Sequence, residues 1–404
     1  MDRVICSDYF SVCVFRMKLK QLPADFIVEE IPDVSFGQDK DEHAIFLLEK
    51  QEIDTFEAVR RIAKRLRISL FEIGYAGLKD KHAMARQYVS IPTKYNVQGL
   101  KMDALVLTLV GYSRKKIKIG DLVGNRFTIV VRDIEEKELA DISQRADEIV
   151  NFGVPNYFDS QRFGSVIDHS FIGKDVVLRQ YDHAVKQYLT AYQKSEPKKI
   201  KDSKRKILSS WDDLVSVRVF DKTLAAVIKE YVRTKDWRAS YRRIPAYLRE
   251  MYVNAYQSYL WNECVKEILR NSVEKKKLYS IEYAVGALLF YTSLSEQEKK
   301  KIPLTFLTIS STAMFTDDEL QVVSTVLAKE NLKLSDFSLE EETGNFFKTR
   351  TRQVLLFPDD FAISKPERDE LNSKGNSMRY KIRVSFSLSK GSYATLITKR
   401  LFGH

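Results

Sequence analysis

The chain has 404 residues, 44% of them hydrophobic, with a formal charge of +11 and a pI near 9.2. That composition excludes a disordered chain, and the length suits two ordinary domains better than one core. The basic excess points to a polyanionic partner, either nucleic acid or an anionic membrane surface.

Residues 1–16 hold Asp2 and Asp8 and lack a sustained apolar core, so they do not read as a signal peptide. They are expected to be a leader, disordered or a non-native start. The longest uncharged apolar stretches, such as 283–294, fall short of the roughly 20 residues a spanning helix needs, which removes the membrane reading. Cys6, Cys13 and Cys264 make no disulfide framework, and a reducing, cytoplasmic compartment fits them.

From Met17 the stretch MKLKQLPADFIVEEIP alternates like an edge strand limited by Pro23. Asp54, Thr55, Phe56 and Glu57 form a capping-box pattern that opens a helix. Its predicted apolar face is Phe56, Val59, Ile62, Ala63 and Leu66, with Arg60, Arg61, Lys64 and Arg65 opposite. Segments 86–91, 104–110 and 126–132 are rich in Val, Ile, Leu and Thr and predict strands. A helix over about 136–151 turns Leu139, Ile142, Ala146 and Ile149 inward, and Gly153 and Pro155 end it.

After Phe163 and Gly164 the texture changes. Residues 171–270 hold 21 Lys and Arg against 12 Asp and Glu, so a quarter of the chain carries most of its net charge. The run from Lys198 to Lys206 reads as a solvated loop face or a phosphate-binding one. In 237–243, Trp237 and Tyr241 interleave with Arg238, Arg242 and Arg243. Bases stack on both kinds of side chain, and interdomain packing is the other reading. Helical spacing in 251–270 predicts a packed helix, and strand texture returns at 353–357 and 383–386. The simplest arrangement is a mainly helical, basic domain inserted into an α+β domain with a mostly antiparallel sheet.

No CxxC, HExxH, GxGxxG or GxxxxGK[ST] pattern occurs, and the five histidines lack ligand spacing. No metal and no cofactor is expected, and ordinary side chains should do any chemistry. The absent Gly-rich loop also disfavours an RNA methyltransferase. The most informative stretch is GYAGLKDKHA, residues 74–83. Gly74 and Gly77 permit close backbone approach or unusual dihedrals, and they deliver Lys79, Asp80 and Lys81 after a short apolar strand. A carboxylate between two ammonium groups is favoured as the anion, as a carboxylate nucleophile requires. A turn aspartate flanked by surface lysines is the plainer reading of the same residues.

GYAGLKDKHAMARQ resembles the signature of the TruD family of tRNA pseudouridine synthases. Further segments are similar in the same order: KQLPADFIVE at 20–29, GNRF at 124–127, PNYFDSQRFG at 155–164, AYQSYLWN at 255–262 and LSKGSYAT at 388–395. The resemblance runs from about Met17 to Phe402. It implies a pseudouridine-synthase-type catalytic domain at 17–165 and 345–404, with an inserted TRUD domain at 166–344. It implies an isomerase, an intramolecular transferase, acting on tRNA uridine 13, with tRNA as partner and no membrane, metal or protein partner. On the matched positions Asp80 is the catalytic aspartate and Lys20 a basic residue beside it. Phe26, Asn125, Phe127 and Tyr393 line the uridine pocket, with Phe127 as the stacking ring. Ala85 stands where the family usually has Thr, Asp159 where it has Gly, and Ser389 where Pro is common. A non-catalytic RNA-binding protein or RNA chaperone with the same fold is the rival expectation.

Overall fold

The structure, a computed structural model, describes residues 17–403 apart from His82, residues 340–346 and Asn376. The leader at 1–16 lies outside the described residues. Two compact units divide the chain: Pro155–Leu355 forms one, and the segments on either side of it form the other.

The flanking segments build one sheet of eleven strands. The first eight in chain order are β1 (Lys18–Leu19), β2 (Phe26–Pro32), β3 (His43–Lys50), β4 (Gly74–Tyr75), β5 (Met84–Pro92), β6 (Gly99–Met102), β7 (Leu105–Ser113) and β8 (Leu122–Ile134). Across the sheet the order is Asp359–Ile363, Tyr380–Ser389, β8, β2, β5, β3, β7, β6. Within it only β2 and β5 pair in parallel. This is the mostly antiparallel α+β fold that the sequence predicts. Two departures bear on the site. Residues 26–32 form an interior strand between β8 and β5 and not an edge, because Pro23 lies in a separate 3-10 turn at Pro23–Asp25. Of the expected capping box at the helix Thr55–Leu66 one half forms, the Asp54 carboxylate accepting from the Glu57 N–H, while the Glu57 carboxylate pairs with Arg60 and Arg61; Phe56 is 57% exposed. Thr55 takes the inward position instead, one residue earlier, with Ala58, Val59 and Ile62 below it. That helix packs on the sheet face formed by Ala44, Phe46, Leu48, Val89 and Ile91.

The Pro155–Leu355 unit is mainly helical. Its long central helix, Ala246–Ser272, buries Val253, Tyr256, Leu260, Trp261, Cys264 and Ile268. The basic run is a helix, Lys198–Ser209, and not a loop. Pro197 stands at its N-cap, and Ile207 supplies the buried side chain that holds it down.

Candidate active site

Asp80 lies on the segment between β4 and β5, and several of the backbone groups around it are tied down. Gly74 must be glycine, because a Cβ there would meet the Ile117 carbonyl at 2.3 Å and Ser90 Oγ at 2.4 Å. The Lys79 N–H donates to Thr55 Oγ1 at 2.8 Å, Thr55 Oγ1 donates to Gln87 Oε1 at 2.8 Å, and Gln87 Nε2 returns to the Gly77 carbonyl at 3.3 Å. Thr55 and Gln87 are fully buried, so this circuit is shielded from water. Lys50 Nζ, also buried, donates to the carbonyls of Asp80 at 2.8 Å and Ile53 at 2.7 Å.

The two lysines beside Asp80 do not flank its carboxylate. Lys79 turns inward to Glu30 Oε2 at 2.7 Å, a pair with side chains 5% and 1% exposed. Lys81 is exposed. The ammonium on the Asp80 carboxylate is that of Lys20, 2.7 Å from Oδ2, and this pair stays accessible at 21% and 29%. One short segment thus carries a sealed ion pair and an open one. Lys20 is in the left-handed region, φ 55°, which turns its side chain out of line between β1 and the 3-10 turn. Its turn is braced from behind. Asp25 caps the Leu22 N–H at 2.8 Å and accepts from Arg132 Nε at 3.0 Å, and Arg132 Nη1 reaches Asp369 at 3.1 Å.

Burial pushes the Lys50 ammonium down to about 8; Asp80 and Asp54 oppose the shift and Lys79 adds to it. The unfolded chain therefore binds more protons here between about pH 8 and the ordinary value of 10.5, so stability should rise with pH across that window. Lys50→Met should remove the rise. Melting temperatures taken from pH 7 to 10.5 should diverge in favour of the wild type, and a constant gap would show that Lys50 does not titrate there.

Sheet register places the remaining candidates. Phe26, Val28 and Glu30 share a face of β2; Val28 pairs with Phe127 and Glu30 with Asn125 on β8. On the other side of β8, Phe386 pairs with Phe127 and Leu388 with Asn125. Lys20 Nζ lies 4.1 Å from the centroid of Phe26, which meets Phe127 edge-on at 6.4 Å. Phe127 in turn lies 5.6 Å from Phe386. At 9% exposure Phe127 is a packed ring and not a free-standing one. Asn125 Oδ1 is buried without a hydrogen-bond partner among the described residues, a costly state unless something completes it. Gly124 lets the strands close up, since a Cβ would lie 2.1 Å from the Leu388 carbonyl. Tyr393, half-buried, stands immediately before the helix Ala394–Phe402, just past the strand end at Ser389. The sheet thus brings Asp80, Lys20, Phe26 and Phe127 into one run of contacts, with Asn125 next to it in register. Tyr393 follows the strand that borders Asn125.

Ala85 is buried between Val28 and Lys50 in register. Asp159 is also buried, with φ −98°, an ordinary extended value, and its carboxylate caps the Ser160 N–H at 2.7 Å. It adds no exposed negative charge. The AYQSYLWN segment turns out to be a set of clamps. Asn262 accepts from the Phe158 N–H and donates to its carbonyl, both at 2.8 Å, and Trp261 Nε1 donates to the Asn156 carbonyl at 3.1 Å. Gln257 Nε2 holds the carbonyls of Ile309 and Lys348 at 2.8 and 3.0 Å. Trp237 stacks within its own unit, 3.5 Å from Tyr231 and 5.6 Å from Trp211. In the basic helix Lys204 pairs with Glu196 at 3.1 Å and Arg205 with Asp202 at 2.9 Å, whereas Lys198 and Lys199 are exposed.

Glu30, Lys50, Gln87 and Arg132 were not singled out from the sequence, and Thr55 was named only for its place at the helix start. Glu30 and Lys50 carried a signal, since each continues a core-facing alternation, Phe26–Val28–Glu30 and Phe46–Leu48–Lys50. Among the described residues no helix is long and apolar enough to cross a membrane, and no cluster of His, Cys, Asp and Glu is disposed to hold a metal ion.

A family model described as tRNA pseudouridine synthase D (TruD) matches residues 9–401, beginning eight residues before Met17. The stretch 9–16, expected to lie outside the resemblance, is thus within the match. A Methanocaldococcus jannaschii protein named "Probable tRNA pseudouridine synthase D 2" is 40% identical over 398 residues, 96% of this chain and 92% of its own. The tRNA pseudouridine synthase D of Aquifex aeolicus is 30% identical over 396 residues, 96% of this chain and 98% of its own. A crystal structure from Methanosarcina mazei, assigned as tRNA pseudouridine synthase D, superposes with a TM-score of 0.72 at 25% identity, covering 98% of this chain and 96% of that one.

Proposed function

Because this chain belongs to the TruD family of tRNA pseudouridine synthases, we propose that it isomerises uridine 13 in the D arm of tRNA, with Asp80 as the nucleophile. The observation that carries the assignment of Asp80 is the open Lys20–Asp80 pair. Its carboxylate is oriented by an ammonium at 2.7 Å, remains 29% exposed, and sits on a segment fixed by buried hydrogen bonds.

The isomerisation breaks the C1′–N1 bond, turns the uracil and joins C5 to C1′; C5 loses its proton and N1 gains one, so the product is an isomer of the substrate. Nothing is oxidised or reduced. Attack at C1′, attack at C6 and proton removal at C2′ each begin from the Asp80 anion, and Lys20 favours that charge state. A uridine taken out of its helix needs a surface for its face and partners for its edge. Phe26 and Phe127 contribute the first. Asn125 suits the second, because an amide can donate and accept at once and its Oδ1 is left without a partner among the described residues. Tyr393 borders this pocket, and Lys20 serves both carboxylate and base. The helical insert, 166–344, adds phosphate contacts through exposed cations such as Lys198 and Lys199. We assign the enzyme to the cytoplasm, where its substrate is processed.

The test is to incubate purified protein with bulk tRNA and map pseudouridine at single-nucleotide resolution. Conversion at position 13 is expected. Conversion at another position would retain the isomerase and overturn the site preference.

A further inference from the structure

We propose that Leu78 is a wedge that enters the RNA beside the target uridine and keeps its neighbours apart while the base is out; the proposal rests on the reading of this chain as a uridine isomerase. Leu78 is 71% exposed and stands two residues before Asp80, with the inward-turned Lys79 between them. Burial alternates along the three residues, with Leu78 exposed, Lys79 buried and Asp80 part-exposed, so Leu78 and Asp80 share the solvent side. Two residues of chain span at most about 7 Å. RNA that delivers a base to the Asp80 carboxylate therefore passes over Leu78.

A lone apolar side chain on a surface is ordinary and carries no message. Leu78 differs in its mounting. The backbone on both sides of it is tethered, at the Gly77 carbonyl by Gln87, at the Lys79 N–H by Thr55 and at the Asp80 carbonyl by Lys50. These tethers fix the backbone from which the side chain projects, so the segment cannot swing round to bury it. Extruding a base from a stacked arm costs unstacking and unpairing. An apolar side chain inserted between the separated bases offsets part of that cost. The Lys20–Asp80 pair meets the extruded uridine, and Leu78 occupies the space it leaves.

The test uses the full chain in single-turnover reactions on two substrates. One is intact tRNA, and the other is the same tRNA with the pairing and stacking around the target uridine disrupted by mismatches. Leu78→Ala should slow the intact substrate about 10-fold or more, and the disrupted one by no more than about 2-fold. Leu78→Met should restore the rate on intact tRNA. A 2-aminopurine placed beside the target should lose its fluorescence rise with Leu78→Ala, and thermal unfolding should not change. Equal rates of wild type and Leu78→Ala on intact tRNA would overturn the wedge. So would equal losses on both substrates, which would place Leu78 in the chemistry. A wild type that forms no pseudouridine in either RNA would sink the isomerase reading itself, a result distinct from an active wild type matched by Leu78→Ala.

Discussion

Asp80→Asn is expected to lower single-turnover pseudouridine formation by about 10⁴-fold or more while the protein still folds and still binds tRNA. The substitution keeps the size of the side chain and an oxygen that can accept from Lys20 Nζ, now 2.7 Å from the carboxylate. It removes the anion, and a nucleophile has no partial substitute. Stability should change by no more than about 1 kcal/mol, because the Lys20–Asp80 pair is partly solvated and such pairs contribute little. The backbone tethers from Thr55 and Lys50 involve main-chain atoms of residues 79 and 80 and survive the change. Saturating enzyme removes binding from the comparison. A variant that converts uridine at near wild-type rate under those conditions would show that Asp80 is only a turn residue.

Lys79→Met should cost about 3–5 kcal/mol, a large share of the stability of an ordinary domain. The Lys79–Glu30 pair is almost completely withdrawn from water, so losing the ammonium leaves a carboxylate buried at 1% exposure on an interior strand. Glu30 Oε1 also accepts the Tyr88 N–H at 3.2 Å, which does not neutralise the charge. Replacing both partners, Lys79→Met with Glu30→Leu, should recover most of the loss, since an apolar pair of similar volume needs no counter-charge. Native-state hydrogen exchange at the β2 and β5 amides reports this unit by itself, free of the helical one. A single variant costing less than about 1 kcal/mol would mean that water reaches Glu30.

Local patterns revealed much of the sheet unit. The Val, Ile, Leu and Thr content of 86–91 and 126–132 reports strands because β-branched and apolar side chains fill their packed faces, and the Asp54 cap was readable because it depends on residues only three apart. What the pattern concealed was which charges point inward. Lys79 and Lys81 look alike in sequence, yet one is sealed against Glu30 and the other is exposed, because the partner lies 49 residues away on a different strand. Lys20 and Asp80 meet across 60 residues, a proximity that no spacing rule expresses. Phe56 was misplaced for a related reason. The inward position is held by the long-range bonds of Thr55 to Gln87 and Lys79, and helical periodicity alone favours the larger apolar residue. Residues 255–262 gave a clear signal whose content was different. Their amides and indole hold backbone carbonyls and N–H groups, so a motif of polar and aromatic residues can be scaffolding.

The strand Tyr380–Ser389 pairs with β8 along nearly its whole length, from Ile134 down to Gly124. Those partners are separated by some 250 residues of chain, among them all of Pro155–Leu355. During synthesis, β8 therefore leaves the ribosome long before its neighbour exists. Until then it presents an open row of N–H and C=O groups, with Phe127 uncovered on the side that Phe386 will fill. At 5–20 residues per second that exposure lasts roughly 10–50 s. The helical insert has time to fold within this delay, and the catalytic sheet closes last. A nascent chain stalled before residue 380 would carry every proposed pocket residue except Tyr393 and still lack the wall against which Asn125 and Phe127 are set, with an unpaired edge open to aggregation.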